Sequence, residues 1–329
     1  MPSTITREQW ASFVEPSLAQ VSVPRLNLGQ VLQEKLAQQG MRGAMDGLVR
    51  LLTVGMTWLP HQRLIRTIDG PVSHAVRTAF PRVQYRYTLP YLSNSLNRTE
   101  RRLALQSHYE LVNQHFKPGF YERVLSDDLV LWQRGLGDCL ARIQLQGLCR
   151  VSRHREGELT LAFKLDDLTL YKLSFSLVHP QVMARTTPGV PLSAPLVFVG
   201  RVQGAAGAMD TIRLVTAKLG DIAPQDVLMV ALLGIARAVR AETIFGVTDE
   251  NNVARHCIER SPGSFSYAAF WAKYGADFQA DGNVRLALPL KERPLSDIAA
   301  KHRGRTQRKR EAKATISSEV ALALSRWVA

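Results

Sequence analysis

Cysteine is scarce in this 329-residue chain, and its three copies, Cys139, Cys149 and Cys257, form no CxxC pair. An odd and scattered set builds neither a disulfide framework nor a zinc ribbon, and it fits a reducing compartment. No HxxxH pair occurs either, so no metal is expected. The signatures GxSxG and GK[ST] are missing, which removes the nucleophile-elbow hydrolases and the P-loop enzymes. Long apolar runs are lacking too. The best stretches, 51–60 and 227–236, are flanked by Arg50 and Arg237 and fall well short of the ~20 residues of a spanning helix. The start, MPSTITREQW, has no basic region leading into an apolar core, so a cytoplasmic location is expected.

What remains is ordinary globular composition, 46% hydrophobic and 21% charged, with enough length for one large domain or two. The net charge of +14 is unevenly spread. Residues 1–126 carry 15 basic and 8 acidic side chains, 127–250 carry 13 of each, and 301–329 carry 8 against 2. The run 301–313, KHRGRTQRKREAK, would attract any polyanion, including lipid phosphates, unless it is simply a solvated helical face. No aromatic side chain interrupts it, so base stacking and a nucleic-acid partner are not expected.

The apolar pattern of the first third has the helical period of 3.6, in a stripe at Leu28, Val31, Leu32 and Leu36 and another at Leu48, Leu51, Leu52 and Met56. A proline-bearing loop near 81–90 precedes a long helix capped by Asn97 or Thr99 and ended by Lys117-Pro118-Gly119. From about Ala141 the period becomes 2, with a turn at Asp166-Asp167, which predicts an antiparallel meander. A buried strand at 196–199, helices over 210–219 and from Pro224 to Arg240, a short strand at 243–247, an aromatic helix at 265–274, a strand at 284–288 and a basic helical tail complete the reading. The expected fold is α+β: a helical region 1–140 on a mixed sheet domain 141–300, followed by the tail 301–329.

The segment 196–208, LVFVGRVQGAAGA, runs from a buried strand through a small-residue turn into a helix. Such a turn lets backbone amides approach a phosphate, although glycines there also serve tight turns alone. Arg201, Gln203, Gly204 and Ala206 fall in the spacing [RQ]-x-x-G-x-[GA], which resembles the pyrophosphate loop of GCN5-related N-acetyltransferases. The order of elements resembles that fold as well, with Asn252 at the following helix start. The resemblance implies an acyl-CoA cofactor. No tyrosine stands at the usual distance after Asn252 to act as general acid; Tyr267 lies too far along. Candidates for a base are His108, on the long helix, and Glu158, which shares an expected strand face with Glu156.

Six segments carry a wider resemblance: YLSNSLNRTERRLALQSHYELV (91–112), GELTLAFKLDDLTLYKLSFSL (157–177), LVFVGRVQG (196–204), PQDVLMVALLGIARAVRAETIFGVTDENNV (224–253), YAAFWAKYGA (267–276) and LPLKERPLSDIAAKHRGRTQRKREA (288–312). Together they look like the VirK/YbjX family of Gram-negative bacteria. The resemblance implies a part in virulence, envelope integrity and resistance to cationic antimicrobial peptides, and it carries no catalytic residue with it. The leading expectation is an acyltransferase-like protein of envelope defence. The competing one is a non-enzymatic factor docking to the inner-membrane surface or to a protein partner through Lys301, Arg303, Arg305, Arg308, Lys309, Arg310 and Lys313.

Overall fold

The computed structural model describes residues 52, 54–126, 129–147, 155–183, 194–255 and 265–329. The chain divides into two units, 1–52 and 53–329, and the second holds the whole sheet and the helices packed on it. The helical stripe expected at 28–36 lies outside the described residues.

Helices lead, as their period requires: α1 (Trp58–Ile68), α2 (His74–Ala79), a 3-10 turn at Val83–Thr88 within the expected loop, α3 (Arg98–His115) and α4 (Phe120–Leu125). Asn97 is the cap of α3. Its side chain accepts from the Glu100 amide while Glu100 returns a bond to the Asn97 amide, so two free donors of the first turn are satisfied at once. The strands are β1 (Leu129–Leu136), β2 (Cys139–Gly147), β3 (Leu159–Leu165) and β4 (Leu168–Val178). The short helix α5 (Pro180–Met183) precedes β5 (Leu196–Gly204), α6 (Met209–Lys218), α7 (Pro224–Ala238) and β6 (Thr243–Val247). Then come α8 (Tyr267–Ala272), β7 (Asp277–Phe278), β8 (Asn283–Ala287) and α9 (Ala300–Ser325).

The fold is α+β, built on one eight-stranded mixed sheet of order β1-β2-β3-β4-β5-β6-β8-β7. Neighbours are antiparallel except β5 and β6, which run parallel. The sheet starts earlier than the alternating pattern suggests. The second half of β1, residues 133–135, is exposed and reads Gln-Arg-Gly, so no apolar alternation marks the strand. β6 is buried throughout and β3 over Leu159–Phe163; central strands covered on both faces carry apolar side chains at consecutive positions. α3 packs on β4, and α7 packs on β3, β4 and β5.

The basic C-terminal segment is a helix, as expected, but half of it is core. Ile316, Ser317, Val320 and Leu324 are buried, and α9 lies along α7 and β1. Gly234 of α7 makes this approach feasible: a Cβ there would sit 2.5 Å from the Ser317 carbonyl oxygen. No described helix is long and apolar enough to cross a membrane.

Candidate functional site

β5 outruns its parallel neighbour. The two strands pair only from Leu196↔Thr243 to Val199↔Gly246, whereas β5 continues to Gly204 with β4 alone beside it. At the point of divergence Gly200 is the extra residue of a bulge, between Val199 opposite Phe175 and Arg201 opposite Ser174. Glycine is required there, since a Cβ would collide with the Glu156 carbonyl.

The backbone groups freed by the divergence are met by side chains. Val202 N–H donates to the Tyr267 hydroxyl at 3.0 Å, and Asn252 Nδ2 donates to the same oxygen at 2.7 Å. Asn252 Nδ2 also lies 3.3 Å from the Gly200 carbonyl, and its Oδ1 accepts from the Ala254 amide. The Tyr267 oxygen thus accepts twice, which uses both lone pairs and leaves its O–H proton to be given elsewhere. Burial raises the Tyr267 pKa, with Glu156 adding to the effect, so the phenol holds that proton at neutral pH.

Tyr267 therefore joins Asn252 despite its distance in sequence, because α8 begins where the loop after β6 returns to the sheet. Spacing along the chain passed it over. The Ser266 cap, whose hydroxyl accepts from the Ala269 amide, fixes the start of that helix. Asn94 was missed as well. Its amide donates to the Asn251 carbonyl and its side chain to the Asn252 carbonyl, which pins the loop carrying Asn252.

The remaining residues of the expected loop are placed differently from a free phosphate cradle. Arg201, Gln203 and Gly204 belong to β5, and the turn proper is 205–208. Arg201 donates to Gln203 Oε1 at 2.6 Å and pairs with Glu156 at 3.4 Å. Gly204 has a packing reason of its own, since a Cβ would lie 3.0 Å from the Tyr171 ring. Ala206 is exposed at the turn ahead of α6.

Glu156 and Glu158 do not share a strand face, which corrects their expected pairing. β3 begins only at Leu159, and Gly157 between them presses on the Phe175 backbone, where a Cβ would come within 2.6 Å. Glu156 consequently goes to Arg201 and Glu158, itself fully buried, to a second cluster. There Arg86 Nη1 and the Tyr109 hydroxyl each donate to a Glu158 oxygen at 2.6 Å. Tyr91 and Ser176 exchange a hydrogen bond at 3.0 Å, and Ser176 Oγ accepts from the Glu158 amide.

His108 adjoins this cluster. Its Nδ1 accepts from the Leu177 amide at 3.0 Å, which can only donate, so the ring proton sits on Nε2 and is given to the Tyr121 hydroxyl at 2.6 Å. Burial, opposed by Glu158 and aided by Arg86, brings its pKa down to about 4. In this state the His108 lone pair and both Glu158 oxygens are engaged with protein groups, and they tie α3 to β4. The structure brings the two sets of candidates to either end of one short segment, 156–158.

The cations of 301–313 separate into three kinds. Arg303 donates to the Ile298 and Ser296 carbonyls, Arg310 pairs with Glu292 at 2.9 Å, and burial lowers the pKa of Lys313. Arg305, Arg308 and Lys309 line a cavity, whereas Lys301 is exposed outside it. Among the described residues no group of three or more His, Cys, Asp or Glu could hold a metal.

A family described as a protein of unknown function (DUF535) matches residues 58–321. An Escherichia coli K12 protein named "Uncharacterized protein YbjX" is 23% identical over 257 residues, covering 76% of this chain and 74% of that protein. No solved structure matches the chain significantly. With the family model spanning most of its length, from α1 through most of α9, the chain belongs to the DUF535 family, the VirK/YbjX family its sequence resembles.

Proposed function

We propose that this protein is an acyltransferase that takes a phosphorylated acyl carrier of the acyl-CoA type along the diverging end of β5, in the service of envelope modification. The observation that carries the reading is the Tyr267 hydroxyl, an O–H held on a diverging strand edge with both of its lone pairs already occupied. Such a group can only give a proton, which is what a departing thiolate needs. An acceptor amine or hydroxyl forms the new bond to the acyl carbon, the carbon–sulfur bond breaks, and Tyr267 protonates the sulfur. The acceptor's proton, passed through solvent, restores the phenol. The exposed turn 205–207 ahead of α6 would hold the carrier's diphosphate on backbone amides. Arg201, Gln203 and Asn252 brace the strand edge beside it, and His108 and Glu158 act as positioning residues behind Gly157.

The strand order supports the reading. An antiparallel meander runs into one parallel pair, at the end of which β5 diverges, and an antiparallel return follows; this leaves room for the GNAT-like order that the sequence resembles. Calorimetry with acetyl-CoA and palmitoyl-CoA tests it, beside Ala206→Asp, which sets an exposed negative charge where the diphosphate would lie. Saturable binding in the wild type, weakened about tenfold or more by the substitution, is the expected result. Absence of binding to both carriers by folded protein, or equal binding by the variant, would overturn the proposal.

A second reading, docking of α9 to an anionic surface or a protein partner without chemistry, is favoured by the exposed cations Lys301, Arg305 and Arg308.

A further inference from the structure

A cavity of about 450 Å³ opens at the far end of α6 from the turn 205–208. A helix of ten residues separates the two places by about 15 Å. Five cations line the cavity: Arg134 from β1, Lys218 from the last turn of α6, and Arg305, Arg308 and Lys309 from α9. One carboxylate, Asp221, faces them. Leu219 and Ile222 supply apolar wall, and Gly220 and Ala312 keep the walls small.

Part of this charge has a local explanation. Arg305 donates to Asp221 through Nε at 3.0 Å and also through Nη2, and Lys309 lies 3.9 Å from the same oxygen. Lys218 donates to the Leu136 carbonyl at 2.9 Å, and Arg134 lies over the Trp132 ring. These bonds fix where the cations point. They do not neutralise them, because one carboxylate answers five positive charges. Arg308 has no carboxylate or carbonyl partner among the described residues. Arg305, Arg308 and Lys309 also stand three and four apart on one helix, where like charges repel. An arrangement that costs the apo protein repulsion is relieved by a multiply charged anion, and guanidinium groups match phosphate oxygens in pairs.

We propose that this cavity is a binding site for a phosphorylated ligand carrying two or more negative charges, held by Arg308 and Arg134 with Arg305, Lys309 and Lys218 around it. The phosphate can belong to a free small molecule or to a lipid headgroup, and a cavity of this volume holds either. The site is independent of the acyl-carrier reading.

Calorimetry with inorganic pyrophosphate, and flotation with vesicles of cardiolipin, whose headgroup carries two phosphates, against vesicles of phosphatidylcholine, test it on the full chain. Four variants are compared: Arg308→Glu and Arg134→Glu in the cavity, Lys301→Glu on the same helix outside it, and Ala206→Asp at the other end of α6. The proposal expects saturable pyrophosphate binding that falls about tenfold or more in R308E and R134E. It expects less than about a twofold change in K301E, the loss of a distant surface charge being screened, and a fall in R308E and R134E that exceeds any fall in A206D. Flotation with cardiolipin that R308E abolishes assigns the phosphate to a headgroup; pyrophosphate binding without flotation assigns it to a soluble ligand. No saturable binding to either probe, or equal losses in K301E and R308E, would overturn the site. Loss in A206D alone would move pyrophosphate to the turn and equally refute the cavity. All four substitutions are at exposed positions, and an unchanged thermal midpoint checks that each variant is folded.

Discussion

Replacing His108 with glutamine should remove an acid-sensitive component of stability. The ring is fully buried, and burial lowers its pKa to about 4, whereas in the unfolded chain it titrates near 6.5. Above pH 6.5 it is neutral in both states and adds no pH dependence. Between 6.5 and 4 the unfolded chain binds a proton that the folded protein does not, so stability falls as the pH falls. These two values give a loss of about 2 kcal/mol at pH 5 and about 3 kcal/mol by pH 4. Glutamine cannot keep both bonds, to the Leu177 amide and to Tyr121, so the variant should be about 1–2 kcal/mol less stable at pH 7.5. It does not titrate, however. Urea unfolding of both proteins at pH 7.5 and pH 5.0 should therefore show the gap between them shrinking by about 2 kcal/mol, or changing sign, on acidification. A gap that stays constant within about 0.5 kcal/mol would refute a neutral, doubly bonded His108.

Removing Arg86 should be among the most damaging single changes, because Glu158 is fully buried and would lose its cation. Arg86→Met is expected to cost about 3–5 kcal/mol in urea unfolding, and Arg86→Met with Glu158→Gln clearly less, since no charge is then stranded. Equal losses in the single and double variants would count against the pair as the cause. Two glycine-to-alanine changes in helices should have opposite signs. Gly304→Ala, in open surroundings on α9, should stabilise by roughly 0.5–1 kcal/mol. Gly234→Ala forces α9 away from α7 and should destabilise by about 1–3 kcal/mol despite the same gain in propensity; a stabilised G234A would show that the helices can part freely.

The elements that local rules govern were legible in the sequence. The α3 cap at Asn97, the period-2 run through β2, β3 and β4, proline at the start of α7 and the buried strands β5 and β6 all follow from patterns within a few residues of each other. The family could be read the same way, since its segments survive as contiguous strings. β1 was not legible, because its exposed half has no alternation. The buried half of α9 was obscured by the charges in front of it, although Ile316, Val320 and Leu324 repeat at helical spacing.

The site divides along the same line. Composition and pattern determined an α+β chain with a strand-to-turn segment at 196–208, a cationic C-terminal helix and a set of polar candidates. Tertiary structure alone decided which of these meet. Tyr267 reaches Val202 and Asn252 because β5 outruns β6 and α8 returns to the gap. Glu156 and Glu158 part because Gly157 turns the backbone before β3 begins. Arg308 and Arg134 face one cavity because α9 lies along β1. Each of these is a meeting between segments far apart in the chain, set by how strands diverge and helices pack, and no local propensity encodes it.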